Sequence, residues 1–326
     1  MDVPLITEAQ LKAVITLERG ALEAIADGFK RLSQGEVTQP PIMRIDIPEH
    51  HGEVDIKSAY IKGLNSFAVK LSSGFFENYK RGLPSASGMM VLLNAETGVP
   101  IALLLDNGYL TDLRTALAGA VAADLLAKKS ISTVGVIGSG AQARYQVRAL
   151  GLVRDFEQVL VWSRNAERAE GYSREMWAEL GLPVHTKMSA REVVEASDIV
   201  VTTTPAKRPI IHKDWLHPGL HLTAMGSDTE AKQELSADVL AAADILACDS
   251  RLQCARLGEI HHALDAGTLA STESVAELGE IIVGRRLGRE DDAQITVCDL
   301  TGTGMQDTVI ARLAVERLPS NDNSDG

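Results

Sequence analysis

From residue 133 onward, short apolar runs alternate with helical stretches, and this alternation predicts an α/β fold built on a doubly wound parallel sheet. Before it, between residues 42 and 105, short β-rich runs are broken by Gly, Pro and Asn turn signals, the pattern of an antiparallel sheet with helices of its own. At 326 residues and 45% hydrophobic, the chain is long enough for two such domains, each burying a core.

Residues 8–33 read as one amphipathic helix, with Leu11, Val14, Ile15, Leu22, Ile25 and Phe29 at helical spacing, and Gln39-Pro40-Pro41 ends that region. The β-rich part holds strands at 67–71, 88–93 and 101–105, with Asn94 and Gly98 as turn residues. A helix over 112–128 is rich in alanine, which favours helix and lets neighbouring elements come close. Strands are then expected at 134–137, 158–162, 184–187 and 199–203, with helices at 141–153, 166–180 and 190–196 between them. Further strands are expected at 220–225 and 245–249, helical stretches at 257–266 and 275–284, an apolar run at 295–300 and a last helix at 307–317. The polar segment 320–326 reads as a disordered tail.

Acidic residues outnumber basic ones 44 to 32, and the net charge of −12 argues against a nucleic-acid or anionic-membrane surface. The apolar runs are too short to span a bilayer and the N-terminus shows no signal-peptide pattern, so a cytoplasmic protein is expected. Cys248, Cys254 and Cys298 form an odd, widely spaced set without CxxC, which reads as ordinary buried thiols rather than disulfides or a zinc site. His50-His51 and His261-His262 are adjacent pairs whose side chains diverge, so no metal is expected.

The chemistry begins at Gly138-Ser139-Gly140-Ala141-Gln142-Ala143, a GxGxxA pattern that follows a predicted strand and opens a predicted helix. Gly138 makes the tight turn, Gly140 lets backbone amides approach a pyrophosphate, and Ala143 allows close helix–strand packing. The helix N-terminus then faces the phosphates. This predicts a Rossmann-like domain that binds NAD(P)H. At the tip of the next strand, Ser163-Arg164-Asn165 offers no acid for a ribose diol, and Arg164 inclines the reading toward NADPH. Thr203 ends a later strand at the same edge and either contacts the cofactor or serves only as turn chemistry.

Several phrases together resemble the ornithine cyclodeaminase/mu-crystallin family over almost the whole chain. They are Arg44 in Pro-Pro-Ile-Met-Arg, Val69-Lys70, the stretch from Asp106 through Arg114-Thr115-Ala116, the GxGxxA segment, Met225-Gly226-Ser227-Asp228, and Asp299 through Asp307. The segments 46–57 and 301–307 are most similar to the ectoine-utilisation protein C group and the iminosuccinate reductases within that family. The resemblance implies a homodimer in which an N-terminal α+β substrate-binding and dimerisation domain, residues 1–126 with about 305–320, is completed by the C-terminal helix. Residues 127–304 then form the NAD(P)-binding domain. It also implies substrate-carboxylate contacts on Arg44, Lys70 and Arg114, a substrate-binding Lys57 near where the family's lyases hold the ornithine side chain, a catalytic Asp228 with Lys70, and cofactor contacts that include Thr115 and the residues Met225, Gly226 and Ser227.

Taken by themselves these residues allow plainer readings. Lys70 lies in an apolar strand, where a lysine often snorkels to the surface. Arg114 sits early in a helix, where a cation opposes the dipole unless an anion compensates. Asp228 follows a strand-end turn and also suits a helix N-cap. Arginine's fork and a lysine point charge nevertheless suit a carboxylate. The expected function is an NAD(P)H-dependent imine reductase, in reverse an amino-acid dehydrogenase, acting on a small imino acid. One alternative is an ornithine-cyclodeaminase-type ammonia lyase with bound NAD, which Asp228, Lys232 and Glu234 also accommodate. The other is a mu-crystallin-like protein that holds NADPH and a small ligand without catalysis.

Overall fold

The computed structural model of the protein describes residues 3–319, so the expected tail at 320–326 lies outside the described residues. The chain forms two compact units. The first comprises the chain up to Gly28, Gly35–Arg114 and the segment from Gly304 on; the second comprises Phe29–Gln34 and Thr115–Thr303. The division falls after Arg114, inside a helix continuous from Tyr109 to Leu126, and so earlier than the expected 126/127 boundary.

The chain opens with β1 (Leu5–Thr7), α1 (Glu8–Val14) and α2 (Arg19–Ser33). It continues through β2 (Val37–Thr38), β3 (Met43–Ile47), β4 (Gly52–Ile61), β5 (Ser66–Phe75), β6 (Ala86–Asn94) and β7 (Pro100–Leu105) into α3 (Tyr109–Leu126). The strands form a seven-stranded sheet in the order β1-β7-β6-β5-β4-β2, with β3 also paired to β4. It is antiparallel as expected, apart from β1, which lies parallel to β7. The single helix expected over 8–33 is two. Thr7 and Gln10 close a capping box that starts α1, and Ile15 then turns extended at φ −140° and ψ 133°. The carbonyl of Ile15 accepts from the Tyr109 hydroxyl at 2.7 Å instead of continuing the helix. β4 was not expected, because Glu53, Asp55 and Lys57 on alternate positions leave it without an apolar run.

The second unit runs through β8 (Thr133–Ile137), α4 (Ala141–Leu150), β9 (Gln158–Trp162), α5 (Ala166–Leu180), β10 (Val184–Thr186), α6 (Ala190–Glu195) and β11 (Ile199–Thr202). It continues through β12 (Lys207–Ile211), β13 (His221–Ala224), β14 (Gln233–Leu235), α7 (Ala237–Ala241), β15 (Ile245–Cys248), α8 (Arg251–Cys254) and α9 (Gly258–Asp265). β16 (Ala276–Glu277), α10 (Leu278–Ile282) and β17 (Thr296–Asp299) complete it. Eight strands form a parallel sheet in the order β10-β9-β8-β11-β13-β17-β15-β16, the doubly wound arrangement, and the order reverses between β8 and β11. Both faces are buried, as such a sheet requires. Val134, Val136, Val159, Val161, Ile199 and Val201 pack on one face with Ala143 and Val147 of α4. Ile137, Leu160, Val200 and Leu222 pack on the other with Val193 and Val194 of α6. The short parallel pair β12–β14 was not foreseen, and the stretch expected to be helical over 275–284 gives its first residues to β16, which pairs with β15. The three cysteines are free and buried.

The last helix, α11 (Gly304–Glu316), belongs to the first unit and packs on β4 and β5. Its fit is specific. The Thr308 hydroxyl donates to Ala59 O at 2.6 Å and accepts from Ala68 N at 3.0 Å, which inserts it between two strands that pair at that level. Gly304 lies so close to β4 that a Cβ there would stand 2.4 Å from Ser58 O. No helix of the described residues is long and apolar enough to cross a membrane.

Gly304→Ala is therefore expected to destabilise the protein by about 1–3 kcal/mol, since the obstructing atoms are backbone and yield poorly. Gly171→Ala, inside α5 with nothing within 4 Å of the added Cβ, is expected to stabilise by up to ~1 kcal/mol. Denaturant unfolding of both variants checks the opposite signs.

Candidate functional site

The GxGxxA segment occupies the turn between β8 and α4 in the second unit. Gly138 has φ +119°, and a Cβ there would lie 2.5 Å from Thr203 Oγ1, so the turn admits glycine alone. Gly140 is the N-cap of α4 without a side-chain cap, and a Cβ on it would meet nothing within 4 Å. An open approach to uncapped helix amides is what a pyrophosphate needs, so the residues present fit a dinucleotide. Ala143 is fully buried in the valine-rich core beside β8. Arg144 was not singled out in the sequence, yet its Nη1 donates to Ser139 O at 2.8 Å and Gly140 O at 3.0 Å, while Nε donates to Glu175 of α5 at 2.9 Å. With these carbonyls turned to the guanidinium, the loop is braced.

The other expected cofactor residues surround this turn or lie at the same sheet edge. Ser139 Oγ donates to Ser163 Oγ at 3.1 Å, Arg164 is exposed just beyond β9, and Asn165 caps α5 by accepting from Arg168 N at 2.9 Å. The Thr203 hydroxyl donates to Ile137 O at 3.3 Å. Gln146 Nε2 donates to Thr115 O at 3.1 Å and to Gln142 Oε1 at 3.3 Å. Met225 is partly buried against the core, and the Ser227 hydroxyl is spent on Lys232 O at 2.5 Å.

Glu234 organises that edge. It is fully buried on β14, and its carboxylate accepts from Thr202 Oγ1 at 2.6 Å, Thr204 N at 2.6 Å and Gly226 N at 2.8 Å. One side chain thus ties the loop after β11, which backs Gly138, to the loop after β13, which bears Asp228. Burial pushes the Glu234 carboxyl above its ordinary range, although its donors pull the other way. Asp228 caps no helix. Its Oδ1 accepts from Lys232 Nζ at 2.6 Å, with the lysine side chain 11% and the aspartate side chain 40% exposed.

In the first unit the structure brings together Lys57, Lys70 and Arg114. Lys57 stands directly across from Lys70 in the β4–β5 register, and both are buried. Lys70, at 1% exposure, does not snorkel. Its Nζ donates to Asp307 Oδ1 at 3.1 Å, and Arg114 Nε donates to the same oxygen at 2.9 Å. Asp307 is the anion that offsets the early-helix position of Arg114. Sequence reasoning missed it, since an acid in the first turn of α11 is unremarkable as a partner of the helix dipole. Burial first, then the charges of Arg114 and Lys57, lower Lys70 to about 7 against the upward pull of Asp307. Asp307 itself is held below the ordinary carboxylate range, because Lys70, Arg114 and Lys57 outweigh its burial. Arg44 is engaged elsewhere: on β3 it pairs with Asp46 at 2.9 Å, with Glu53 and with Asp55 at 3.5 Å.

This architecture and set of residues can be compared with known proteins. Residues 5–322 match the ornithine cyclodeaminase/mu-crystallin family. A putative dehydrogenase of Rhizobium meliloti (strain 1021) is 48% identical over 98% of this chain and 96% of its own length. Thermococcus litoralis Δ1-pyrroline-2-carboxylate reductase, solved in complex with NADH and L-proline, superposes with a TM-score of 0.91 at 31% identity and covers 97% of both chains. The iminosuccinate reductase of Paracoccus denitrificans, solved in complex with NAD+, gives a TM-score of 0.87 at 31% identity over 96% of this chain and 95% of its own. Matches at this level run through both units and both candidate clusters, and the chain belongs to the ornithine cyclodeaminase/mu-crystallin family.

Proposed function

We propose that this member of the family is an NAD(P)H-dependent imine reductase, in reverse an amino-acid dehydrogenase, acting on a small imino acid as a homodimer. The observation that carries the proposal is the gathering of Lys57, Lys70 and Arg114 around the single carboxylate of Asp307, where burial, and after it the charges of Arg114 and Lys57, lower Lys70 to about 7. A second carboxylate brought by a ligand relieves that repulsion, and the Arg114 fork and the Lys70 ammonium are suited to hold it. The Δ1-pyrroline-2-carboxylate reductase and the iminosuccinate reductase among the relatives act on imines that carry such a carboxylate.

The turn at Gly138–Gly140, braced by Arg144, would hold the pyrophosphate, and Ser163 with Arg164 would meet the adenosine ribose. When bound, the reduced nicotinamide supplies the hydride for the imine carbon. The chain's own residues do the positioning: Lys70 and Arg114 fix the carboxylate, Glu234 fixes the loop that bears Asp228, and Asp228 meets the charge at the substrate nitrogen. Arg44, paired within its own hairpin, takes part in the carboxylate site only by exchanging Asp46 and Glu53 for substrate. The homodimer is supported by the apolar residues that β3 exposes, Met43 and Ile45, and sedimentation reads the assembly directly. The defining assay is oxidation of NADPH or NADH at 340 nm with Δ1-pyrroline-2-carboxylate, oxaloacetate plus ammonium, or pyruvate plus methylamine. Ammonia release without net dinucleotide turnover would identify a lyase instead.

Arg114→Ala is expected to lower kcat/KM for the active imino acid by about 10²-fold or more, since it removes a charge-assisted contact to the substrate. NADPH affinity, read by fluorescence titration, should change little, and equal loss of both would detach Arg114 from the substrate.

Lys70 gives a signed pH dependence. It is lowered to about 7, so its charge is present below that pH and is lost above it, while a bound carboxylate favours the charged form. Inhibition by propionate, which does not titrate in this range, should weaken toward roughly tenfold per pH unit between pH 7 and 9. Lys70→Met should bind propionate weakly with no such slope. A flat wild-type profile would place Lys70 outside the carboxylate site.

Arg164→Ala is expected to weaken NADPH by roughly 10- to 100-fold, equivalent to about 1.5–3 kcal/mol, while NADH stays within a few-fold. A wild-type preference for NADH, or equal weakening of both cofactors, would remove the 2′-phosphate assignment and leave the reductase proposal standing.

A further inference from the structure

Lys232 has no part in the reaction as assigned, yet its side chain is largely withdrawn from solvent and placed with unusual care. Its carbonyl accepts two hydrogen bonds, from Ser227 Oγ at 2.5 Å and from His262 Nε2 of α9 at 2.8 Å. Ser227 is itself buried, so the loop over 227–232 is folded back and closed on its own side chain. From that anchored position the Lys232 ammonium reaches Asp228 Oδ1 at 2.6 Å. An ammonium at hydrogen-bond distance, largely shielded from water, favours the ionised form of its partner. A general acid must carry the proton it donates, and this pairing opposes that.

We propose that Lys232 is a positioning residue that keeps Asp228 a carboxylate, and that the substrate is reduced as a protonated iminium whose positive charge Asp228 offsets. The inference rests on the assignment of Asp228 to the reaction made above. The chemistry balances without a proton from the protein. Hydride addition to the carbon of the protonated C=N+–H group breaks the C=N π bond, moves its electron pair onto nitrogen and leaves a neutral amine, which takes up a proton from solvent. The hydride and its two electrons would be supplied by the reduced nicotinamide when bound.

Other titratable groups lie on this loop and on the elements beside it. His262 uses Nε2 on the Lys232 carbonyl, and His261 on the same helix pairs with Asp265 at 3.5 Å. Glu234 points to Thr202, Thr204 and Gly226, and Glu259 accepts from Glu234 N and Leu235 N. Glu230 in the loop and Lys207, opposite Gln233 in the β12–β14 register, are exposed.

The test follows the Asp228 carboxyl directly. Protein labelled with 13C at aspartate Cγ is titrated by NMR, with Asp228→Asn to assign the resonance, in the wild type and in Lys232→Met, Lys232→Gln and Lys232→Arg. The expected result is a wild-type Asp228 that stays ionised across neutral pH. Its midpoint should rise by about one pH unit or more when the charge is removed, and remain near wild type with arginine. With Δ1-pyrroline-2-carboxylate and NADPH, the ratio of variant to wild-type kcat/KM for Lys232→Met should fall on the acid side of the raised midpoint, and substrate titration cancels in that ratio. His262→Asn should leave the midpoint in place. An Asp228 protonated at neutral pH in the wild type, or a midpoint unmoved by Lys232→Met and Lys232→Gln, would overturn the role of Lys232. A full kcat in Asp228→Asn would instead sink the assignment of Asp228 to the reaction, an outcome that the NMR titration distinguishes.

Discussion

The first unit depends on one buried carboxylate. Asp307 arrives on the last helix of the chain, is fully buried and accepts from both Lys70 of β5 and Arg114 of α3. Taking an ion pair out of water is expensive, and a hydrophobic replacement is often as stable, so stability is a poor explanation for burying three cations around it. Removing only Asp307 would be a different matter, because it would leave those cations uncompensated. The arrangement makes sense if the cluster is kept for a further anion, with Asp307 offsetting enough charge for the unit to fold. The close fit of α11, with Gly304 against Ser58 and Thr308 between Ala59 and Ala68, puts that carboxylate at a defined height on the sheet.

The second unit uses a buried carboxylate in another way. Glu234 faces no cation in its hydrogen bonds; it collects two backbone N–H groups and a hydroxyl from two different loops. Glu259 in turn accepts from the backbone amides of Glu234 and Leu235, which fixes the strand that carries Glu234. Buried polar groups of this kind are costly unless satisfied, and here satisfaction requires both loops to be in place at once. The loop that packs against Gly138 and the loop that bears Asp228 are therefore set by a shared hydrogen-bond network rather than separately.

How much of this the sequence disclosed follows from the range of the interactions involved. Gly138, Gly140 and Ala143 were legible because their roles are local: a turn, an approach and a helix packing contact within a few residues. The strand–helix alternation was legible for the same reason, and β9 and α5 fall where periodicity placed them. Lys70 was visible only as a lysine in an apolar strand, and it took the resemblance to give it a role. Asp307 and Glu234 were opaque because their partners lie far off in the chain: Asp307 meets Lys70 237 residues away, and Glu234 meets Thr202 32 residues away. The break between α1 and α2 was hidden likewise, since the Tyr109 hydroxyl that donates to the Ile15 carbonyl comes from another helix.

The two lysine–aspartate pairs differ in a way that bears on how charge is used. Lys70 pairs with a fully buried aspartate, and its own burial, with Arg114 and Lys57 close by, leaves its proton loosely held. Lys232 pairs with an aspartate whose side chain is 40% exposed, on a loop closed by its own hydrogen bonds. Lysine suits both places because its charge is a point on a flexible stem and its proton affinity follows its surroundings. Arg114 supplies what lysine cannot in the first cluster, a planar fork of donors shaped to hold a carboxylate at two points. On the proposed function, loss of the Lys70 proton above neutrality would therefore weaken a carboxylate's hold by degrees, with the Arg114 fork still in place.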